Sequence, residues 1–315
     1  MESELGPPLD QLASLSLPLL LAVIFAELIV LWAGRKLKRK KESLVSLVSY
    51  MLGWLPYLLF FSALQFGLMM WLYAHARIWT LGTAWYVWAA AFVLFDLVWW
   101  LVHYAAHKVR FLWCIHGAHH TPKEMNMSVA IRGSLFDFVQ YVHLVVWLPI
   151  LGFHPYLVFT VEILSRLYGV FTHMNEARLR RTPVLDKLLI TPSLHRIHHA
   201  ANHVYVDTNF SNLFSFWDRV FGTYQRELRV ERPVFGIADS DRLDSESVIS
   251  TQFGLWQELI RDIRSTPRWL DKLAYVVMPP GWSPNPAKCA TAKTYRERAL
   301  TRLSAVRPDH STPAL

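Results

Sequence analysis

The chain has 315 residues, 53% of them hydrophobic and only 18% charged, with 32 Lys plus Arg against 24 Asp plus Glu. This composition excludes a disordered chain, which needs low hydrophobicity and high net charge. The two cysteines, Cys114 and Cys289, exclude a disulfide scaffold, and basic flanks beside membrane spans explain the net charge of +8 more simply than a nucleic-acid partner does.

Leu12 to Trp32 is the first hydrophobic run. It holds a single acid, Glu27, and is long enough for a ~30 Å hydrocarbon core. Arg35, Lys36, Lys38, Arg39, Lys40 and Lys41 follow at once, whereas Glu2, Glu4 and Asp10 precede it. A secretory signal has the opposite polarity. The segment therefore reads as a retained anchor with its C-terminal end in the cytoplasm. Leu44 to Tyr73, interrupted by Pro56, reads as one span, with a helical hairpin as the alternative. Trp85 to about Tyr104 is the next run and contains Asp96. Leu135 to Leu151 and Tyr156 to His173 are shorter and flank Gly152 and Pro155.

Five regions are expected. Residues 1–104 carry N-terminal transmembrane segments, and 105–134 form a cytoplasmic loop. Residues 135–173 form a transmembrane or re-entrant hairpin, 174–285 a cytoplasmic catalytic part, and 286–315 a flexible tail. The fold class is all-α: an integral membrane helical bundle of about four to five hydrophobic segments, capped by a cytoplasmic helical domain. The membrane is a bacterial inner membrane or an endoplasmic reticulum.

The chain has 14 histidines, and their spacing carries the chemistry. His103 and His107 form H-x-x-x-H. His116, His119 and His120 form H-x-x-H-H, and His195, His198 and His199 repeat it. Offsets of three and four place side chains on one helical face. The hairpin starts and ends on the same side, so the three clusters can meet, and His173 arrives at the same level. These nine exceed what one ion needs, so two metals are expected. Imidazole suits Fe, Zn and Cu. His143 and His203 are weaker ligand candidates. His75, His154 and His310 read as ordinary residues.

Metal-bound histidine hands its other N–H to a carboxylate or carbonyl. Asp96, seven residues before His103, shares its helical face. Glu162 stands eleven residues before His173, with a plain Glu162–Arg166 ion pair as the alternative. Trp217 and Asp218 read as packing and capping residues. Cys114 reads as a small buried apolar residue.

Four stretches resemble the fatty acid hydroxylase and sterol desaturase superfamily of integral membrane enzymes. They read FDLVWWLVHYAAH (95–107), LWCIHGAHHTPKEMN (112–126), TPSLHRIHHAANHVYVDTNFSNLFSFWDRVFGTY (191–224) and WLDKLAYVVMPPGWSP (269–284). AIRGS (130–134), THMNE (172–176) and TPSLHRIHH look most like its alkylglycerol monooxygenase branch, which hydroxylates the ether-bonded carbon of glyceryl ethers with a pterin reductant. The resemblance implies an O2-dependent diiron hydroxylase acting on a membrane lipid (ether lipid, fatty acyl or sterol), with zinc able to replace iron. It also gives Asn126 and Asp207 a supporting role at the site. Two departures stand out: Gly169 replaces a histidine common in fatty acid 2-hydroxylases, and Tyr104 replaces a basic residue. With no cytochrome b-like segment, electrons are expected from a separate donor, a tetrahydropterin or a cytochrome or ferredoxin type. The alternatives are a lipid or sterol desaturase with the same site and, from another class, a membrane metal-binding or transport protein.

Overall fold

A computed structural model describes residues 2–140, 146–177, 182–240 and 242–306, which build an all-helical fold. Among them there is no strand, only two isolated bridges, Leu189 with Phe214 and Ala200 with Phe235. The first helix, α1 (Glu2–Ala33), is followed by α2 (Lys40–Pro56). Arg35 adopts a left-handed φ of 53° at the corner between them. Glu124 pins that corner by accepting the backbone N–H groups of Lys38 and Arg39 at 3.1 and 2.6 Å.

Pro56 has no N–H to give to the helix, and one π turn, Tyr57–Phe61, follows it directly. The helix resumes as α3 (Ser62–His75). Pro56, Phe61 and Ser62 all keep right-handed helical dihedrals, so the chain does not fold back on itself here. Next come α4 (Trp85–Lys108) and α5 (Arg110–His120), divided by the extended residue Val109.

Two stretches are long and apolar enough to cross a membrane, Gln11–Ala33 and Trp85–Lys108. Only 17% and 28% of their apolar windows are buried within the fold. A core helix of a soluble protein would be mostly buried, so these faces meet lipid, and the chain is a membrane protein. The other expected hydrophobic segments are broken into shorter helices. The expected hairpin contains α6 (Trp147–Leu151) and α7 (Pro155–Thr172). Its turn needs glycine: Gly152 has φ 101°, and a Cβ there would strike the backbone of Trp79.

The core beside the apolar helices joins Met69, Ala91, Phe95, Leu148, Leu157 and Val161. A second cluster ties α1 to the centre through Ile24, Met127, Ile131 and Val170. The later helices are α8 (Pro192–His198), α9 (Phe216–Val220), α10 (Val248–Ser265), α11 (Trp269–Val277) and α12 (Ala292–Val306). Leu255 and Leu259 of α10 pack on Cys114 of α5, which is buried as expected. The tail expected to be flexible forms a helix over Ala292–Val306, because Tyr295 and Ala299 find buried positions.

Candidate metal centre

Four helices bring their histidines to one point. The last two turns of α4 carry His103 and His107, and α5 carries His116, His119 and His120. His173 is the residue that closes α7. His195 and His198 lie in α8, and His199 closes it. Local sequence fixes α8: Pro192 stands in its first turn, and the Thr191 hydroxyl accepts the N–H of Leu194 at its start. Asp186 in turn holds that Thr191 hydroxyl.

All nine histidines singled out in the sequence meet here, in two groups. One group is His103, His107, His116, His120 and His198; the other is His119, His173, His195 and His199. Within each group the ring nitrogens lie within 4.8 Å of one another. The closest contacts join Nε2 atoms: 3.0 Å for His103 and His116, 3.3 Å for His116 and His120, 3.1 Å for His119 and His173, 2.9 Å for His173 and His195, and 3.1 Å for His195 and His199. Nitrogens each ~2.1 Å from a common ion are separated by about 3.0–3.4 Å along the edges of an octahedron or tetrahedron.

The opposite ring nitrogens explain why these contacts suit a cation. His103 Nδ1 meets the carbonyl of Phe210 at 2.7 Å, His173 Nδ1 that of Gly169 at 2.6 Å, and His198 Nδ1 that of Thr208 at 2.8 Å. A carbonyl only accepts, so each Nδ1 carries the proton, and the neutral ring turns a bare lone pair inward at Nε2. Several lone pairs at 3 Å repel unless a cation lies among them. Consistently, Nε2 of His107 and of His198 is buried with no hydrogen-bond partner. Burial first, and neighbouring imidazoles second, hold His116, His120, His195 and His199 well below the ordinary histidine value. Rings kept neutral in this way are ready ligands.

Of the four expected supporting residues, only Asp207 is placed on a ring of the centre. Asp96 does not meet a ring of the centre. Its carboxylate accepts three backbone N–H groups, from Asn212, Leu213 and Phe214, at 2.8–3.1 Å. Glu162 does not meet His173; it pairs with Arg166 at 2.6 Å and approaches Gln65. A carbonyl one helical turn away already satisfies His173. Asn126 caps the 3-10 turn Met127–Ile131 by accepting from Ser128. It thus acts on the centre only through that turn, whose Val129 backbone faces His119. Asp207 does touch a ring: Oδ1 takes the Nδ1 hydrogen of His107 at 3.1 Å, and the other oxygen pairs with Lys108.

His203 stands apart, stacked on Tyr295 and 3.3 Å from Asp239. His143 and His310 lie outside the described residues. His75 and His154 make local backbone contacts.

Sequence reasoning missed how much of the centre rests on the 207–214 loop. Asp207 and Asn209 adopt left-handed φ values of 60° and 56°. Asn209 locks the loop to α8 by donating to the carbonyl of Leu194 at 3.0 Å. Asp218, expected only to cap, accepts from Phe210, Ser211 and Trp100 and fixes the loop from its other side. The Asp and Asn residues in VDTNFSN were the available signal, since these types tolerate left-handed turns.

A cavity of about 650 Å³ adjoins the centre. His103, His116, His119, His173 and His195 line it, as do Leu17 and Leu20 of α1. Its walls are mainly apolar, with Trp99, Val102, Phe159 and Ile163 among them.

Residues 88–223 match the family model described as fatty acid hydroxylase. Human alkylglycerol monooxygenase is 28% identical over 272 residues, covering 85% of this chain and 59% of that protein. Its Caenorhabditis elegans counterpart is 30% identical over 210 residues, covering 62% and 40%. An ornithine lipid hydroxylase of Rhizobium tropici is 27% identical over 141 residues, covering 44% and 41%. The chain thus spans about three fifths of the human relative's length, or less of the others. No solved structure matches it. The region that carries every histidine of the two groups, residues 88–223, is the part of the chain that matches the fatty acid hydroxylase family model.

Proposed function

We propose that this chain is an O2-dependent hydroxylase or monooxygenase that oxidises an alkyl or acyl chain of a membrane lipid with two iron ions. The observation that carries this reading is the convergence of nine imidazoles, seven buried and two half-buried, five of which line a mainly apolar cavity. His103, His107, His116, His120 and His198 would hold one ion, and His119, His173, His195 and His199 the other. Zinc fits the same imidazoles. The bound irons would supply the oxygen activation that an unreactive alkyl C–H bond requires.

The chain's own residues do the positioning. Backbone carbonyls of Gly169, Thr208 and Phe210 fix three rings with their lone pairs inward. Asp207 keeps His107 oriented and electron-rich. The apolar walls around Trp99, Val102 and Ile163 exclude water and align a lipid chain beside His103 and His173. Hydroxylation by O2 also consumes two electrons and two protons, so a separate donor is required, of a tetrahydropterin or a cytochrome or ferredoxin type. The names of the relatives support a lipid substrate, with a glyceryl ether first. The centre is assigned to the cytoplasmic side, because the basic run Arg35–Lys41 follows the first membrane helix.

The same ligands would serve a desaturase, and the placement of the lipid chain decides between the two outcomes. A metal carrier would need ligands along its path, whereas all nine lie in two adjoining groups. The test is purified protein in detergent, offered an alkylglycerol, a fatty acyl lipid and a sterol under 18O2. About two irons per chain and one labelled oxygen in the product are expected. Metal uptake into vesicles with no oxygen consumption would overturn the reading.

A further inference from the structure

The nine histidines divide between the linings of two cavities. The large apolar cavity meets His103, His116, His119, His173 and His195. A second cavity, of about 230 Å³, meets the remaining four, His107, His120, His198 and His199. No histidine of the centre lines both. The smaller cavity has the more polar wall for its size. Asp207, Asp239, Glu258 and Arg110 bring charge to it, whereas Arg132, Asp137, Glu162 and Arg166 are set in the mainly apolar wall of the larger one, and Trp113 and Tyr295 add aromatic walls to the smaller. Two polar atoms of its lining residues, the Ser240 hydroxyl oxygen and Arg110 Nε, are buried without a hydrogen-bond partner. Pro280, Gly281, Ala292 and Tyr295 close it from the C-terminal part of the chain, beyond the matched family region.

We propose that this second cavity is a docking site for a small, polar, water-soluble two-electron donor, which reaches the centre from the side opposite the lipid. The proposal rests on the hydroxylase reading above. The balance is RH + O2 + DH2 → ROH + H2O + D. The substrate's C–H bond becomes C–OH, one oxygen atom leaves as water, and the donor DH2 gives up two electrons and two protons. A lipid that fills the apolar cavity occludes the five histidines facing it, so the donor needs another route. The smaller cavity offers direct approach to the other four rings. Its volume of about 230 Å³ suits a small molecule. The ligand has N–H or O–H groups for Asp239 and Glu258, an acceptor for Arg110 and Ser240, and a flat edge for Trp113.

The test uses the full chain in detergent and three probes: ascorbate, a tetrahydropteridine and a 1,4-dihydronicotinamide. Calorimetric titration of metal-free protein should show saturable one-to-one binding of at least one probe. Ser240→Trp, and Ala292→Trp from another wall, should each weaken it tenfold or more. Leu20→Trp, which obstructs the lipid cavity, should leave probe binding unchanged. In iron-loaded protein, saturating lipid should leave the rate of anaerobic iron reduction by the bound probe unchanged. The proposal is overturned if no probe binds, if Leu20→Trp weakens binding as much as the pocket variants, or if lipid competes with the donor. Iron content and lipid oxidation are measured separately. A chain that binds the donor without oxidising lipid refutes the hydroxylase reading alone. A chain that oxidises lipid while both tryptophan variants reduce normally refutes the pocket alone.

Discussion

Asp207→Asn separates the two ion sites. Burial pushes the Asp207 carboxyl up, but His107 and Lys108 pull it down further, so it ends below its ordinary value. It is therefore a carboxylate at neutral pH, and it raises the electron density on His107. Asparagine keeps the size of the side chain and tolerates the left-handed φ of 60° at this position. The substitution thus removes charge with little backbone strain. Losing an outer partner of this kind costs about 10–100-fold in metal affinity, or about 1.4–2.7 kcal/mol. His107 belongs to the five-histidine group, and Asp207 contacts no ring of the four-histidine group. Equilibrium dialysis against chelator-buffered cobalt should therefore show one site weakened and one unchanged. Glu162→Gln, which breaks only the pair with Arg166, should leave both affinities as they are. Equal weakening of both sites by Asp207→Asn, or of neither, would refute the two-site assignment and the part given to Asp207.

His198→Ala should abolish the metal of one group and His195→Ala that of the other, while His75→Ala leaves metal content intact; elemental analysis per chain reads all three, and full occupancy in His198→Ala overturns the ligand set. Acid should unfold the metal-free protein. His116, His120, His195 and His199 sit below their ordinary value chiefly through burial, so the unfolded chain takes up protons that the folded one refuses. Stability is then full above about pH 6.5 and falls as pH drops below it; a melting temperature that stays flat or rises from pH 7.5 to 5.5 contradicts this. Glu27→Ala removes the acceptor for the buried backbone N–H groups of Met127 and Asn175, at 2.6 and 2.8 Å. Two unpaired buried donors cost about 2–6 kcal/mol together. A melting temperature within one degree of the parent would show that α1 is not anchored through this residue.

The histidine cluster was legible in the sequence and most of its supports were not, for one physical reason. Ligands on a helix must recur at three and four residues to share a face, and His103 with His107 or His195 with His198 and His199 state that rule outright. A supporting carboxylate has no such rule, because its partner usually lies on another segment. Helical periodicity placed Asp96 with His103 and Glu162 with His173, and in each case the side chain turns to a different neighbour. Asp207 was reached only through the resemblance of VDTNFSN to the family motif. The break of the Leu44–Tyr73 run at Pro56 was legible from proline chemistry alone. The helix Ala292–Val306 was not, since its composition is polar and its buried side, Tyr295 and Ala299, is small.

The placement of the acids also bears on how the centre is built. Asp96 and Asp218 are both buried close to the histidines, and neither spends its charge on a ring. Asp96 binds the N–H groups of residues 212–214 and Asp218 those of Phe210 and Ser211. Between them they hold five consecutive amides of one loop. A peptide unit whose N–H is bound to a carboxylate has a more polarised carbonyl in the same chain of hydrogen bonds. The carbonyl of Phe210, in the middle of this loop, is the acceptor for His103 Nδ1. The acids therefore act on the centre at one remove: they fix the loop, and the loop carbonyl fixes the ring. This keeps negative charge off most of the imidazoles while still setting their tautomer. It leaves Asp207, through His107, as the direct carboxylate contact among the described ring partners, in the group of five rather than the group of four. The two groups are thus unequal in the number of imidazoles and in nearby charge, and on the proposed ligand set an ion in the five-histidine group would be held more strongly by both differences.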